Sequence, residues 1–505
     1  MEGESKGHFD VYGKYYLLGI LILAFAVRLF FFLKYQNQAL WWDEADYLSI
    51  AKSWALGTPN QAPPWRAWGI AVLYGPIYWL GGGESIIRFI EILFSVGGIY
   101  LTYLVGKEFY SKQVGLIAAL VMSSYWLHIF WTARISMGVI GLVFWIGAAL
   151  CFYKGYVQKK TKYLIVSGVL IGSGIFIYEA VGFIIPFIAL FLLTTEKLKF
   201  LKNKKFWIFI AIILIAATPF FIRNYVVYDS IYPRIGHQIE DVTPTDDFVP
   251  DWQRPIGEVM SDLFIFFTQM PSLLKWGFLI LAIIGLSYFF KVALGFDLIW
   301  KDKSSKLKKD YFIILWALTQ LLIVGTLIAT QGYMYEPRLG FPAFPAISVI
   351  VGLGAMVLYN SVKKYNKETG IVVIAILLIW GAGAGVAYAN DSIEQKSQSF
   401  YYEREAGEWL KENTEYGDVV LACSQSVPLL YYSERDAIGF SYQNISSFDE
   451  AREIYDAEYI VFDFYSYACN SDYIVENEDS LELVQAYFLD AEQTQPIILI
   501  FRDKA

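Results

Sequence analysis

Seven consecutive residues, Trp41-Trp42-Asp43-Glu44-Ala45-Asp46-Tyr47, set three carboxylates among aromatic rings. A carboxylate in such surroundings can act as a general base, because burial and neighbouring charges move its pKa. Ile50, Ala51 and Trp54 continue at helical spacing, and Gly57-Thr58-Pro59 ends the run. The same residues also admit a purely structural role, in which Asp43 caps a helix held along a membrane interface by its aromatic side chains.

Whatever positions these carboxylates is largely apolar. In 505 residues only 17% are charged, against about 25% in an ordinary soluble chain, and the mean hydropathy is +0.43. A net charge of −8 leaves no basic surface for nucleic acid, and 18% aromatics excludes an unfolded chain. A spanning helix needs roughly 20 apolar residues. Segments 15–33, 86–106, 114–131, 138–155, 163–178, 180–193, 206–225, 273–294, 311–330, 339–359 and 371–389 fit, so the sequence predicts a polytopic α-helical membrane protein with about 11 transmembrane helices. Segments 163–178 and 180–193 are short enough to be one broken span instead.

Charge decides the orientation. With the N-terminus inside, the cytoplasmic loops collect lysines, including the runs Lys197 to Lys205 and Lys301 to Lys309, while the outer loops hold mostly arginines, Arg66, Arg134, Arg223, Arg234, Arg254 and Arg338. The first span lacks a small-residue cleavage site and reads as an uncleaved anchor in a multi-pass plasma-membrane protein. Two outer loops, 34–85 and 226–262, are longer than connection demands. Within the first, Trp65 to Leu80 is too short and too rich in Gly and Pro to span, and is expected in the interface or as a re-entrant segment. Residues 390–505 carry 24 Asp/Glu against 7 Lys/Arg, whereas 1–389 carry 33 Lys/Arg against 24 Asp/Glu. That shift divides a membrane domain, 1–389, from an extracytoplasmic one, 390–505. The latter alternates helical (400–413, 448–455) and strand-like (418–422, 459–464, 497–501) segments, which predicts a small α/β domain. Cys423 and Cys469 fall in it, either paired in an oxidising compartment or as buried thiols.

The run from Arg28 through Asp43-Glu44-Ala45-Asp46-Tyr47, Ala51 and Gly57 resembles the Arg, Asp-Glu-Ala-x-Tyr, Ala, Gly pattern in the first outer loop of GT-C glycosyltransferases, in the branch of protein O-mannosyltransferases and lipid A aminoarabinose transferases. Further elements resemble that family in order: Pro63-Pro64, Glu84 through Arg88 to Phe94, Trp131-Thr132-Ala133-Arg134, Pro219 with Arg223-Asn224-Tyr225, Arg338-Leu339-Gly340-Phe341-Pro342-Ala343-Phe344-Pro345, and the tail from Ala406 to Val420. The resemblance covers most of the chain.

It implies transfer of a hexosyl or pentosyl group from a polyprenyl-phosphate donor to the hydroxyl of a protein, lipid or glycan acceptor on the outer face, with inversion. Asp43 would be the base, and Glu44 would position the acceptor or tune Asp43. Arg338 first, then Arg223, Arg134 and Arg66, would stabilise the departing phosphate, since a guanidinium fork grips two oxygens and stays charged near lipid. Trp42, Asp46, Tyr47, Tyr178 and Glu179 would line the acceptor pocket. The pattern fixes no cofactor and leaves a divalent metal open, with Asp43, Glu84 and His237 as the weaker alternative for a metal site.

One departure is that Arg134 is followed by Ile135-Ser136-Met137, where many members carry a further acid. Trp41-Trp42-Asp43 also resembles the Trp-Trp-Asp element of oligosaccharyltransferases, but theirs follows the spans and lies in the soluble domain, so that match is discounted. Two readings of other classes compete: a transporter of a lipid-linked or small solute, which predicts repeated halves with broken helices, and a non-catalytic scaffold with an external binding domain. No clear repeat is present, and apart from Arg28 the intramembrane charges crowd the outer ends of spans.

Overall fold

The computed structural model describes residues 4–60, 62–63, 66–231, 255–300, 305–331, 335–423, 427–439, 452, 454–464, 472–490 and 492–504. Contacts divide the chain into two compact units, one of Met1–Gln36 with Arg88–Glu394, the other of Asn37–Ile87 with Gln395–Ala505.

The first unit is a multi-pass membrane body. Among the described residues nine helices are long and apolar enough to cross a membrane: Tyr12–Tyr35, Glu84–Phe109, Met137–Val157, Glu179–Lys202, Lys204–Tyr228, Met270–Leu294, Lys306–Thr330, Pro337–Val362 and Lys367–Gln395. A tenth is the pair Lys112–Ser124 and Trp126–Thr132, bent by 55°. Thr161–Ile177 is a shorter apolar helix, so all eleven expected segments are helical, 114–131 as the bent pair and 163–178 as a helix shorter than a span. The two short segments are separate: Tyr178 is extended after Thr161–Ile177, and a 3-10 turn, Glu179–Phe183, leads into Ile184–Glu196.

The ends of the chain's membrane body are peripheral and one late helix is central. Only 17% of the apolar window is buried in Tyr12–Tyr35 and in Lys367–Gln395, against 78% in Pro337–Val362. Hydrocarbon offers little hydrophobic drive between helices, so close backbone approach at small residues does the packing. Helices Met270–Tyr288 and Phe344–Val362 meet in this way. A Cβ on Gly354 would lie 1.8 Å from the Leu281 carbonyl oxygen. Aromatic rings fill the interior where helices diverge, with Trp145 and Trp316 at 4.7 Å between centroids and the Trp316 indole N–H donating to the Pro342 carbonyl at 2.6 Å.

A charged group is also buried here. Arg28 donates from Nε to Ser95 Oγ at 2.5 Å, from Nη1 to the carbonyls of Ala24 and Ser123, and its Nη2 lies 3.0 Å from His128 Nδ1. An arginine is only a donor, so His128 accepts at Nδ1 and carries its proton on Nε2. Thr132 completes the network by donating to Ser95 Oγ at 3.0 Å. One guanidinium thereby joins the first span to Glu84–Phe109 and to both halves of the bent pair.

In the second unit the tail folds around a five-stranded sheet of order β2-β1-β3-β5-β4, with β1 Val419–Ala422, β2 Asp436–Gly439, β3 Tyr459–Asp463, β4 Leu481–Phe488 and β5 Pro496–Asp503. β1 pairs in parallel with β2 and β3, while β5 is antiparallel to β3 and β4. The three expected strands are β1, β3 and β5, and the expected helix 400–413 is Tyr401–Asn413. The two unexpected strands are the sheet's edges. Edge strands carry no continuous apolar run: β2 has four residues, and β4 exposes Glu482 and Leu483. Cys423 is disulfide-bonded and Cys151 is free. Cys469 and most of the expected helix 448–455 lie outside the described residues.

Candidate active site

The acidic run forms a helix, Trp42–Leu56. Trp41 is extended, and its carbonyl accepts the Ala45 N–H at 2.8 Å, so the helix starts at Trp42 and Asp43 sits in its first turn rather than at the cap. Glu44 reaches back to accept the Trp41 N–H at 3.1 Å. One free donor of the helix start is thereby satisfied. Gly57, with φ 75°, closes the other end by donating to the Ser53 carbonyl. The segment expected in the interface contains the helix Gly69–Trp79, only 11 residues long and packed on Trp42–Leu56. The contact is tight where Gly75 faces Trp54, leaving no room for a Cβ.

Asp43 and Asp46 stand three residues apart, on one face of the helix. Both meet Arg66, which the chain brings back from twenty residues downstream. Its Nη2 bonds Asp43 Oδ1 and lies 2.8 Å from Asp46 Oδ2, and its Nε donates to Asp46 Oδ2 at 3.0 Å. The guanidinium also lies over the Tyr47 ring, 5.0 Å from its centroid. The two carboxylates differ in access: 28% of the Asp43 side chain is exposed, and 5% of Asp46. Burial raises the Asp46 pKa to about 6 against the pull of Arg66, with the Asp43 charge adding to the rise. Asp46 Oδ1 is buried with no hydrogen-bond partner. Asp43, Asp46, Tyr47 and Arg66 therefore form one cluster, while Trp42 is largely exposed beside it.

The remaining expected site residues lie in the membrane unit. Arg338, in the 3-10 segment Pro337–Ala343, pairs through Nε with Glu336 and stacks 4.5 Å from the Trp131 ring centroid. Three residues beyond Trp131, Arg134 is buried and lies 5.9 Å from the Phe130 ring centroid. The Arg338 segment and the Trp131-to-Arg134 segment are thus brought together. Arg223 donates to Asn224 Oδ1 at 3.1 Å and to Tyr228 Oη at 2.9 Å, near the end of its own helix. Tyr178 is the extended joint between two helices with its ring against Gly141, and Glu179 opens the turn that follows. Of the weaker metal set, Asp43 is engaged by Arg66 and Glu84 accepts from the Tyr432 hydroxyl at 3.2 Å. His237 lies outside the described residues, among which no group of three metal-capable side chains occurs.

Residue spacing did not point to three groups beside these. Tyr431 and Tyr432 of the tail helix Val427–Ser433 reach the first loop, Lys52 pairs with Glu434, and Arg28 meets His128. The only local signal was a charge inside an apolar span, at Arg28.

Residues 61–222 match the family model described as dolichyl-phosphate-mannose-protein mannosyltransferase. No curated protein matches. Among solved structures, the fold is similar to that of ArnT from Cupriavidus metallidurans bound to undecaprenyl phosphate, with a TM-score of 0.64 at 12% identity, covering 95% of this chain and 98% of that one. The apo state of the same protein gives 0.61 at 11% identity, covering 96% and 98%. The archaeal oligosaccharyltransferase AglB from Archaeoglobus fulgidus, in complex with an inhibitory peptide and a dolichol-phosphate, gives 0.58 at 12% identity, covering 96% of this chain and 74% of that one.

Proposed function

Given the GT-C glycosyltransferase fold and the mannosyltransferase match over residues 61–222, we propose that this chain transfers a sugar from a polyprenyl-phosphate carrier to an acceptor hydroxyl on the extracytoplasmic face of the membrane. The observation that carries the proposal is the guanidinium of Arg66 held between Asp43 and Asp46 on one helix face. The lysine-rich loops at 197–205 and 301–309 support the outer placement of that helix.

Asp43 is the more accessible carboxylate and acts as the base. The acceptor oxygen bonds to the anomeric carbon as the bond from that carbon to the phosphate oxygen breaks. The bonding pair leaves with the lipid phosphate, and the hydroxyl proton passes to Asp43. Attack opposite the leaving group inverts the anomeric centre. Charge grows on the phosphate during this step, and Arg66, beside the base, stabilises it. In the resting cluster Arg66 neutralises Asp43; a donor phosphate competes for the same guanidinium and releases Asp43 to accept a proton. Asp46 supplies a second acid in a chain that lacks one after Arg134. Its buried negative charge keeps Arg66 beside Asp43 between turnovers. Glu44 positions Asp43 by fixing the start of the helix.

The test is transfer or hydrolysis from a panel of radiolabelled polyprenyl-phosphate hexoses and pentoses, comparing wild type with Asp43→Asn at equal membrane insertion. Loss on the order of 100-fold or more in the variant is expected when a general base is removed. Equal turnover by both proteins removes Asp43 from the mechanism, and a wild type that neither binds nor turns over any donor removes the glycosyltransferase reading.

A further inference from the structure

The helix Trp42–Leu56 is held along its length by the tail. At its start, the Trp41 ring meets Phe400 edge to face at 6.5 Å, and Arg404 donates from Nη1 to the Asn37 carbonyl at 2.8 Å. At its end, the Tyr416 hydroxyl lies 3.5 Å from the Gly57 carbonyl. These two contacts lie at opposite ends of the helix, and the tail helix Val427–Ser433 packs against it between them. Between these ends, Lys52 Nζ pairs with Glu434 at 2.5 Å and lies over the Tyr431 ring, 4.4 Å from its centroid. Glu434 is held in turn by Lys411 at 2.8 Å, and the two lysines hold its carboxyl below the ordinary range against burial.

Two tyrosines close the loop around this helix. The Tyr432 hydroxyl accepts the Leu40 N–H at 3.0 Å and donates to Glu84 Oε2 at 3.2 Å, joining the residues at which the loop begins and ends. The Tyr431 and Tyr78 hydroxyls are 2.7 Å apart and buried. A buried hydroxyl pair or ion pair has one favourable geometry and leaves costly unpaired groups in any other. Sliding or rotating the acidic helix on the tail would break the Lys52–Glu434 pair, and moving the loop that carries it would break the Tyr432 and Tyr431 bonds.

We propose that the tail domain is a splint for the Asp43 helix, with Tyr432 and the Lys52–Glu434 pair as positioning residues for sugar transfer. The proposal rests on the glycosyltransferase reading for its catalytic half. Tyr432 bonds Leu40 and Glu84, and Lys52 bonds Glu434 from the helix itself, so their effect on the reaction runs through the helix.

The experiment uses the full chain in membranes, with Tyr432→Phe, Lys52→Met and Lys52→Arg. Tyr432→Phe keeps the ring and removes the hydroxyl that joins Leu40 to Glu84; Lys52→Arg keeps the charge that Lys52→Met deletes. Hydrogen exchange of residues 38–56 is read alongside kcat and donor KM. A displacement of about 1 Å can cost on the order of 100-fold, so kcat is expected to fall by roughly 10- to 100-fold in Tyr432→Phe and Lys52→Met, with donor KM within about twofold. Exchange across 38–56 is expected to rise in both, and Lys52→Arg is expected to restore both readouts. Unchanged kcat in an active enzyme overturns the positioning role and leaves the glycosyltransferase reading intact. Unchanged exchange overturns the splint itself. A wild type without donor turnover takes away the glycosyltransferase reading and the catalytic half, while exchange still decides whether the tail holds the helix. If Tyr432→Phe fails to insert, the Lys52 pair decides alone.

Discussion

Replacing Arg66 by methionine separates the two carboxylates that it now joins. Asp46 is 5% exposed at its side chain and titrates at about 6 even with the guanidinium in contact, so burial already outweighs the attraction. The gap from 3.8 corresponds to about 3 kcal/mol of preference for the neutral form. Without Arg66 the Asp46 pKa rises further, so at pH 7 Asp46 takes up a proton, and protonation from a pKa of about 6 limits the loss at Asp46 to about 1.4 kcal/mol. Asp46→Asn removes the group that must take up that proton, so the double variant Arg66→Met/Asp46→Asn should recover about 1 kcal/mol of the Arg66→Met loss. Native-state hydrogen exchange of the amides in Trp42–Leu56, measured at pH 7 on both single variants and the double, gives the cycle directly. Independent sites add within about 0.5 kcal/mol, so additivity at that level refutes the argument that Asp46 and Arg66 form one buried unit. Donor kinetics supply a second reading: under the proposed mechanism Arg66 meets the phosphate and governs Asp43, so Arg66→Met should raise donor KM and lower kcat.

Further outcomes follow from other parts of the molecule. Glu403 is buried in the tail, and burial, reinforced by the charge of Asp463, raises its pKa from 4.5 to about 8. A carboxyl whose folded pKa is raised contributes stability that is complete below about 4.5 and lost as pH rises through about 8, here on the order of 5 kcal/mol. Thermal melts of Glu403→Gln should therefore be flat over that interval where wild type declines, and a parallel decline in both excludes Glu403 as the cause. Gly354→Val places side-chain atoms on the Leu281 carbonyl; folded protein should be lost in detergent size-exclusion, and a monodisperse peak at wild-type yield contradicts the close helix approach. Arg28→Leu leaves the Ser123 carbonyl and His128 Nδ1 without their buried donor, with an expected loss of about 3 kcal/mol or more in unfolding experiments. A loss below about 1 kcal/mol would show that the network is dispensable.

The legible parts of this chain were those governed by short stretches. Apolar runs such as 311–330 announced their helices because a 1.5 Å rise per residue makes length alone a measure of spanning. The acidic helix was visible from Asp43 to Gly57 through spacing and a terminal glycine, and its Asp-Glu-Ala-x-Tyr pattern through resemblance. β1, β3 and β5 showed as apolar runs because they are central in the sheet; β2 and β4 did not, because edge strands lack that pattern. Asp43 as a cap was the natural local reading, yet the backbone of Trp41 turns one step earlier and Glu44 satisfies it.

By itself, then, the sequence determined a many-helix membrane body, an acidic α/β tail and a carboxylate-bearing first loop, all from periodicity, composition and charge that neighbouring residues share. Only the tertiary structure decided which arginine meets the acids. Of the four arginines expected at the phosphate, the sequence put Arg338 first and Arg66 last, yet it is Arg66 that meets Asp43 and Asp46. The same holds for Tyr432 on Leu40, 392 residues apart, and for Arg28 on His128, 100 apart. Such contacts depend on how the chain packs over its whole length, because a hydrogen bond or ion pair acts over about 3 Å and leaves no trace in the spacing of residues that distant.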